Sequence, residues 1–328
     1  MTTKILVTGG AGFIGSHHVR TLLGPEGPDG VTVTVLDALT YAGNTANLAA
    51  VRDHPGFRFV HGDIRDSALV DRLVPEHDQI VHFAAESHVD RSILSATEFV
   101  TTNVLGTQTL LDAALRSGLE TFVHISTDEV YGSAAEGSWP ETDPLLPNSP
   151  YAASKAAAEM MALACHRTHG LDVRVTRCSN NFGPFHYPEK LIPLFITNLL
   201  DGRPVPLYGD GLHIRDWLHV DDHVQGIELV RTKGSPGSVY NIGGGTELTN
   251  KDLTGRLLAA CGAGWEHVEY VEDRKGHDRR YSVDCGRIRD ELGYVPRADF
   301  DGALAETVAW YRANRAWWEP LKKQSAPS

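Results

Sequence analysis

Four cysteines are all that the 328 residues contain, and Cys165, Cys178, Cys261 and Cys285 lie far apart with no CxxC among them. That scarcity excludes a disulfide framework or a cysteine-built zinc site and favours free thiols in a reducing cytoplasm. No run of about 18 apolar residues occurs, which excludes a membrane-spanning helix. Residues 1–7 pass directly into a strand and leave no space for a secretory leader. Positive charge is also short: 30 Lys and Arg against 42 Asp and Glu give a net charge of −12, unsuited to a nucleic-acid partner. Internal repeats and low-complexity tracts are missing. Histidine is plentiful at 16 residues, yet no HExxH or similar ligand spacing appears, so no metal is expected. His17 and His18 read as packed or solvated residues of a first helix.

What the chain does have is a regular alternation of strands and helices and enough length for two lobes. Lys4 to Val7 is a short β-rich run that enters Thr8-Gly9-Gly10-Ala11-Gly12-Phe13-Ile14-Gly15-Ser16. Gly10, Gly12 and Gly15 fit GxGxxG, while Gly9, Gly12 and Gly15 fit the related GxxGxxG. Such glycines let the backbone turn tightly against a pyrophosphate, whose charge rests on the next helix N-terminus. The required context follows: a helix over Ser16–Leu23, then a second strand, Val31–Leu36. That strand ends in Asp37, 22 residues past Gly15. An acid there accepts the ribose hydroxyls of NAD and repels the extra phosphate of NADP, so NAD is the expected cofactor.

A third strand, Phe57–Val60, leads to His61-Gly62-Asp63-Ile64, where Asp63 either meets the adenine or caps the next helix. A fourth, Gln79–Ala84, runs into Ala85-Glu86-Ser87, small residues that let a dinucleotide lie against the backbone. The stretch Ala96–Gly118 carries Val100, Val104, Leu111 and Leu115 at helical spacing and stops at Gly118. Its polar residues Thr102 and Asn103 can face the cofactor. After Val173–Thr176 the pattern becomes irregular, with a loop-rich region to Asp210. A helix then runs from His219 through Val230, and another strand covers Ser238–Ile242. The fold class predicted is α/β: a Rossmann-type doubly wound parallel sheet with a smaller, interleaved α/β substrate-binding lobe. Residues 1–180, with about 216–243 returning, would form the dinucleotide-binding domain. Residues 181–215 and 244–320 would form the substrate lobe, and 321–328 a disordered tail.

Chemistry concentrates at the end of an apolar run, Thr121–Ile125, which reads as a buried strand followed by Ser126-Thr127-Asp128-Glu129-Val130-Tyr131-Gly132. Ligands of open α/β sheets sit outside the carboxyl ends of strands. Ser149-Pro150 then starts a helix in which Tyr151 and Lys155, four apart, share a face. A lysine one turn from a phenol stabilises the phenolate and yields a base near neutral pH. Strand side chains alternate faces, so Asp128 and Glu129 can address one ligand only if the strand has already broken into a turn. In the second lobe Lys190, Arg215, Arg274, His277, Arg279 and Arg280 fall in polar loops of an acidic chain. A convergent subset of them suits a diphosphate.

The segments 8–16, 126–132, 151–155 (YAASK), 177–184 (RCSNNFGP) and 214–223 (IRDWLHVDDH) resemble the extended short-chain dehydrogenase/reductase family. Within it the resemblance is to the dTDP-glucose 4,6-dehydratases, over nearly the whole chain. Sugar-nucleotide 4-epimerases share the glycine loop and YxxxK but lack the acid pair. The resemblance implies bound NAD and conversion of dTDP-glucose to dTDP-4-keto-6-deoxyglucose for deoxysugar biosynthesis. Tyr151, with Lys155 and Thr127, would take the 4-hydroxyl proton, Glu129 the C5 proton, and Asp128 would protonate the departing 6-hydroxyl. It further implies cofactor contacts at Gly9, Gly12, Phe13, Ile14, Gly15, Asp37, Asp63, Ile64, Ala84, Ala85, Thr102 and Asn181. Substrate contacts would fall at Ser87, Asn180, Lys190, Leu191, Arg215, Asn250, Arg274 and His277, with Pro206 and Tyr208 flanking the thymine. The helices 96–118 and 150–169 would pair across a two-fold axis as a four-helix homodimer interface. The competing readings are another NAD-dependent sugar-nucleotide converter and, from a different class, a non-catalytic NAD sensor.

Overall fold

The computed structural model describes residues 2–325. In chain order its strands are β1 (Thr3–Thr8), β2 (Val31–Asp37), β3 (Phe57–His61), β4 (Gln79–His82), β5 (Thr121–Thr127), β6 (Val173–Cys178), β7 (Asn180–Phe182), β8 (Val205–Tyr208), β9 (Ile214–His219), β10 (Val239–Ile242), β11 (Glu247–Thr249) and β12 (Val268–Val271). Seven of them make one sheet, in the order β10-β6-β5-β4-β1-β2-β3 and parallel throughout. The order reverses beside β1, which opens a crevice between β1 and β4 at their carboxyl ends.

Both faces of this sheet are covered, which is why its strands read as continuous apolar runs rather than alternating ones. Along β1, Ile5 and Val7 pack into one core with Val19 and Leu22 of the helix Phe13–Leu23 and Ile227 and Val230 of the helix Val220–Lys233. Leu6 points the other way, into a second core with Leu110, Leu111 and Ala162. A third core, built from Phe182, Phe195, Trp217, Leu257, Tyr311 and Trp318, lies under the three-stranded sheet β11-β9-β7 and the pair β12-β8. Ile288 and Tyr294, late in the chain, pack beneath the large sheet instead.

Several local expectations change. The first helix begins at Phe13, one turn before Ser16, with Gly12 as its cap. The stretch 96–118 is not one α-helix: Val100–Gly106 is π-helical between Thr97–Phe99 and Thr107–Ser117, and Gly118 ends it at φ +68°. The loop-rich region to Asp210 contains a helix, Leu191–Leu200. The expected tail is corrected too: a helix covers Arg315–Ser325, Leu321 is buried, and Lys322 Nζ donates to Asn198 Oδ1 at 2.8 Å. Residues 326–328 lie outside the described residues.

The long helix Pro150–His169 forms as expected, because Ser149 caps it by accepting the Ala152 amide and Gly170 closes it in the left-handed conformation. It is bolted to β6 by a buried ion pair, Arg177 Nη2 to Glu159 Oε1 at 2.5 Å, with side chains 5% and 0% exposed. Removing one partner of such a pair strands a buried charge. Glu159→Gln should therefore destabilise the fold by about 3–5 kcal/mol, measurable as a lower midpoint of urea unfolding at unchanged slope.

Candidate active site

One cavity of about 540 Å³ lies outside the carboxyl ends of β1, β4, β5 and β6, and it is lined by every residue named above as a cofactor or substrate contact. Its volume falls within the range of small-molecule sites, roughly 300–1,000 Å³.

The cofactor half is built by the β1 turn. Gly9 sits at φ +71°, and a Cβ there would lie 2.6 Å from the Ala84 amide nitrogen, so only glycine lets β1 and β4 run this close. Gly12 caps the following helix without any side-chain hydrogen bond, and its first turn holds no acid. The exposed amides and positive dipole end are thus left for an anion, as a pyrophosphate requires. Asp37 accepts the amides of Ala11 and Leu39, both at 2.8 Å, so it fixes the loop as well as facing the cavity. Asp63 is not the helix cap; Asp66 is, accepting the Leu69 amide. The Asp63 carboxylate grips Arg65 instead, through Nη2 at 2.7 Å and Nε at 3.0 Å. Thr102 lines the cavity, whereas Asn103 is consumed by the Glu86 backbone and Ser154 Oγ.

The reactive end is built by β5. The strand stops at Thr127, whose hydroxyl accepts the Glu129 amide at 3.2 Å, and the chain winds into a 3₁₀ turn over Asp128–Tyr131. This turn breaks the alternation and brings Thr127, Asp128 and Glu129 to the same cavity as Tyr151 and Lys155. Burial, then the nearby Glu129 and Asp216, push the Asp128 carboxyl well above the usual carboxylate range. Burial raises Glu129 as well, but the cations of Lys190, Arg274 and Arg215 oppose it. Asp128 is therefore the acid that keeps its proton and Glu129 the one favoured to ionise.

Tyr151 departs from the sequence-based picture. Burial, with Glu129, Cys178 and Asp128, drives its phenol well above the ordinary value, while a hydrogen bond with Thr127 lowers it. Lys155 is itself depressed to about 8 by burial, and its Nζ donates to the Ile125 carbonyl at 2.5 Å. The lysine alone does not make a phenolate.

The substrate half comes from the second lobe. Lys190 Nζ donates to the Ser87 carbonyl at 2.8 Å, and Arg215 lies over the Tyr281 ring at 4.1 Å while donating to the Ile214 and Asp278 carbonyls. Buried Asp128 Oδ2, Asn180 Oδ1, Asn250 Oδ1 and Arg274 Nε have no hydrogen-bond partner among the described residues. Arg279 and Arg280 do not join the site; they pair with Asp210 and Glu247. Sequence reasoning missed Tyr281 and Glu189, which line the cavity; Arg91, over the Tyr41 ring at 3.8 Å, lies 3.5 Å from Glu189. Neither belongs to a spaced motif that could have flagged it.

Fold and site together define a short-chain dehydrogenase/reductase of the extended, nucleotide-sugar type. The profile of the family described as GDP-mannose 4,6 dehydratase matches residues 6–307. A dTDP-glucose 4,6-dehydratase of Streptomyces griseus is 67% identical over 98% of each chain. The crystal structure of a dTDP-glucose 4,6-dehydratase from Streptomyces venezuelae, with NAD and dTDP bound, is 62% identical, covers 97% of this chain and 100% of its own, and superposes with a TM-score of 0.95. A UDP-glucose 4-epimerase of Thermotoga maritima is 32% identical with a TM-score of 0.88, covering 95% and 100%. The chain belongs to the dTDP-glucose 4,6-dehydratase family.

An alanine at position 9 must adopt a left-handed backbone at about 1–2 kcal/mol and also collide with β4. Gly9→Ala should emerge from purification less heat-stable and with little bound NAD, read from the nucleotide released on denaturation.

Proposed function

We propose that this chain is an NAD-dependent dehydratase that converts dTDP-glucose to dTDP-4-keto-6-deoxyglucose and water. The observation that carries the reading is the 3₁₀ turn at the end of β5, which turns an acid pair toward the cavity that holds Tyr151. Bound NAD supplies the redox chemistry, accepting hydrogen with its electron pair from C4 and returning it at C6. Tyr151, hydrogen-bonded to Thr127, takes the 4-hydroxyl proton as C4 becomes a ketone. The ketone acidifies C5, and Glu129, ringed by Lys190, Arg274 and Arg215, removes that proton. Asp128, held protonated by burial, gives its proton to the 6-hydroxyl, which leaves as water. Glu129 then returns a proton to C5. The unpartnered polar atoms of Asn180, Asn250 and Arg274 fit a ligand rich in hydroxyl and phosphate oxygens, with Pro206 and Tyr208 at the base.

We also take residues 1–180 with about 216–243 as the dinucleotide-binding unit and 181–215 with 244–320 as the substrate lobe, because most of the third core comes from the latter, while Ile288 and Tyr294 cross over to the large sheet. A cytoplasmic setting fits four free cysteines, and no described helix is long and apolar enough to cross a membrane. A homodimer is supported by the apolar surface on two adjacent stretches, Val100 and Leu105 on one and Met160 and Met161 on the other, 40–55% exposed. Leu105→Glu with Met160→Glu should yield a monomer by sedimentation; a dimer that survives both changes contacts elsewhere.

The decisive experiment follows isotopes. Without added NAD, the protein should form the 4-keto-6-deoxy sugar, with solvent deuterium at C5 and the original C4 hydrogen at C6. Recovery of a C4 epimer would favour the epimerase reading. Tyr151→Phe should stop the first step, and Asp128→Asn and Glu129→Gln should each slow product formation by roughly 10²–10⁴. Asp128→Asn keeps the C5 base and should still exchange deuterium there, whereas Glu129→Gln should not.

A further inference from the structure

His277 lines the cavity from the loop after β12, and a single carboxylate ties it to a second histidine. Asp273 Oδ1 is 2.6 Å from His277 Nδ1, and Asp273 Oδ2 is 3.3 Å from His213 Nε2. The two imidazoles stack face to face, with centroids 3.8 Å apart and planes 16° from parallel. Arg274 from the same loop, Arg215 from β9 and the edge of Tyr208 from β8 are the other groups facing His277. On the far side, His213 faces Asp210 and Arg279.

This geometry assigns a proton. A carboxylate only accepts, so the Asp273 contact puts the proton of a neutral His277 on Nδ1 and leaves Nε2 with a lone pair. Burial and then Arg274 lower His277 to about 3, so the ring is neutral in the free protein. A lone pair repels a phosphate oxygen; the contact becomes a hydrogen bond only once Nε2 is protonated. A metal is the other use for His213, Asp273 and His277, whose ligand atoms lie within 4.8 Å of one another. Three nearby arginines oppose a cation there, and the buried Nδ1 of His213 has no partner among the described residues, where a metal-bound imidazole needs one.

We propose that Asp273 is a positioning residue that fixes the tautomer of His277 and stabilises the imidazolium formed as the nucleotide diphosphate binds, so that binding draws one proton from solvent into the site, a step that rests on the nucleotide-sugar reading above. The complex then holds a proton that the free protein lacks. Affinity is fullest on the acid side and falls as pH rises through the pKa of His277 in the complex, by up to about tenfold per pH unit.

The test is calorimetric titration of dTDP-glucose into Tyr151→Phe protein, near neutral pH, in two buffers of different ionisation enthalpy. Both phosphates of this ligand are esterified and lack the ionisation near about pH 6 of a terminal phosphate, so proton uptake reports the protein. Uptake should approach roughly one proton, fall by about half or more when Asp273→Asn is added, and vanish with His277→Asn. With Tyr151 intact, Asp273→Asn should raise KM about tenfold, the worth of one charge-assisted hydrogen bond, and leave kcat nearly unchanged. Binding without proton uptake, or uptake that persists in His277→Asn, overturns the proposal. Failure of dTDP-glucose to bind at all overturns the nucleotide-sugar reading instead.

Discussion

Everything at the reactive end depends on where β5 stops. Had the strand continued past Thr127, Asp128 and Glu129 would face opposite sides of the sheet. Thr127 ends it by lending its hydroxyl to the Glu129 amide, and Gly132 turns the chain away at φ +83°, where a Cβ would lie 2.3 Å from the Leu146 carbonyl. The turn is held from outside. Tyr131 donates to Asn241 on β10 at 2.9 Å and accepts from Arg177 on β6, which is itself paired with Glu159 on the helix that carries Tyr151 and Lys155. One buried network therefore sets the acid pair and the YxxxK face relative to each other.

That placement creates an electrostatic asymmetry and leaves one element unfinished. The two carboxyls share a dry site, but Glu129 has three cations near it and Asp128 has two acids, so their proton affinities diverge. Tyr151 is pushed the wrong way for a base, because carboxyls and burial outweigh its one hydrogen bond. The protein supplies the position of the phenol and leaves the positive charge that would release its proton to the bound cofactor.

How much was legible in the sequence follows from how local each signal is. The glycine turn, the order of the first strands, the helix from Pro150 and the Tyr151–Lys155 face depend on neighbours within a few residues, and those readings hold. The common face of Asp128 and Glu129 did not follow from spacing, since it needs a turn whose anchors, Arg177 and Asn241, are 46 and 110 residues away from Tyr131. Of the two readings open for Asp63, capping the next helix fails because Asp66, three residues on, takes the cap, while Asp63 lines the cavity and pairs with Arg65. Arg279 and Arg280 looked like phosphate ligands until Asp210 and Glu247, 69 and 33 residues upstream, neutralised them. The Asp273 bridge is invisible for the same reason, with His213 sixty residues before it.

The energetics of the empty cavity tie these observations together. A buried polar atom without a partner costs about 1–3 kcal/mol, and Asp128 Oδ2, Asn180 Oδ1, Asn250 Oδ1 and Arg274 Nε all stand in that condition around one cavity. Four such atoms converging on one cavity mark it as built for a polar ligand. The unpaired set spans the end of β5, the start of β7, the helix after β11 and the loop after β12. A ligand that satisfies all four must reach across both lobes, from the catalytic turn to the arginine. A hexose carried on a nucleoside diphosphate has the length and the run of hydroxyl and phosphate oxygens to do so.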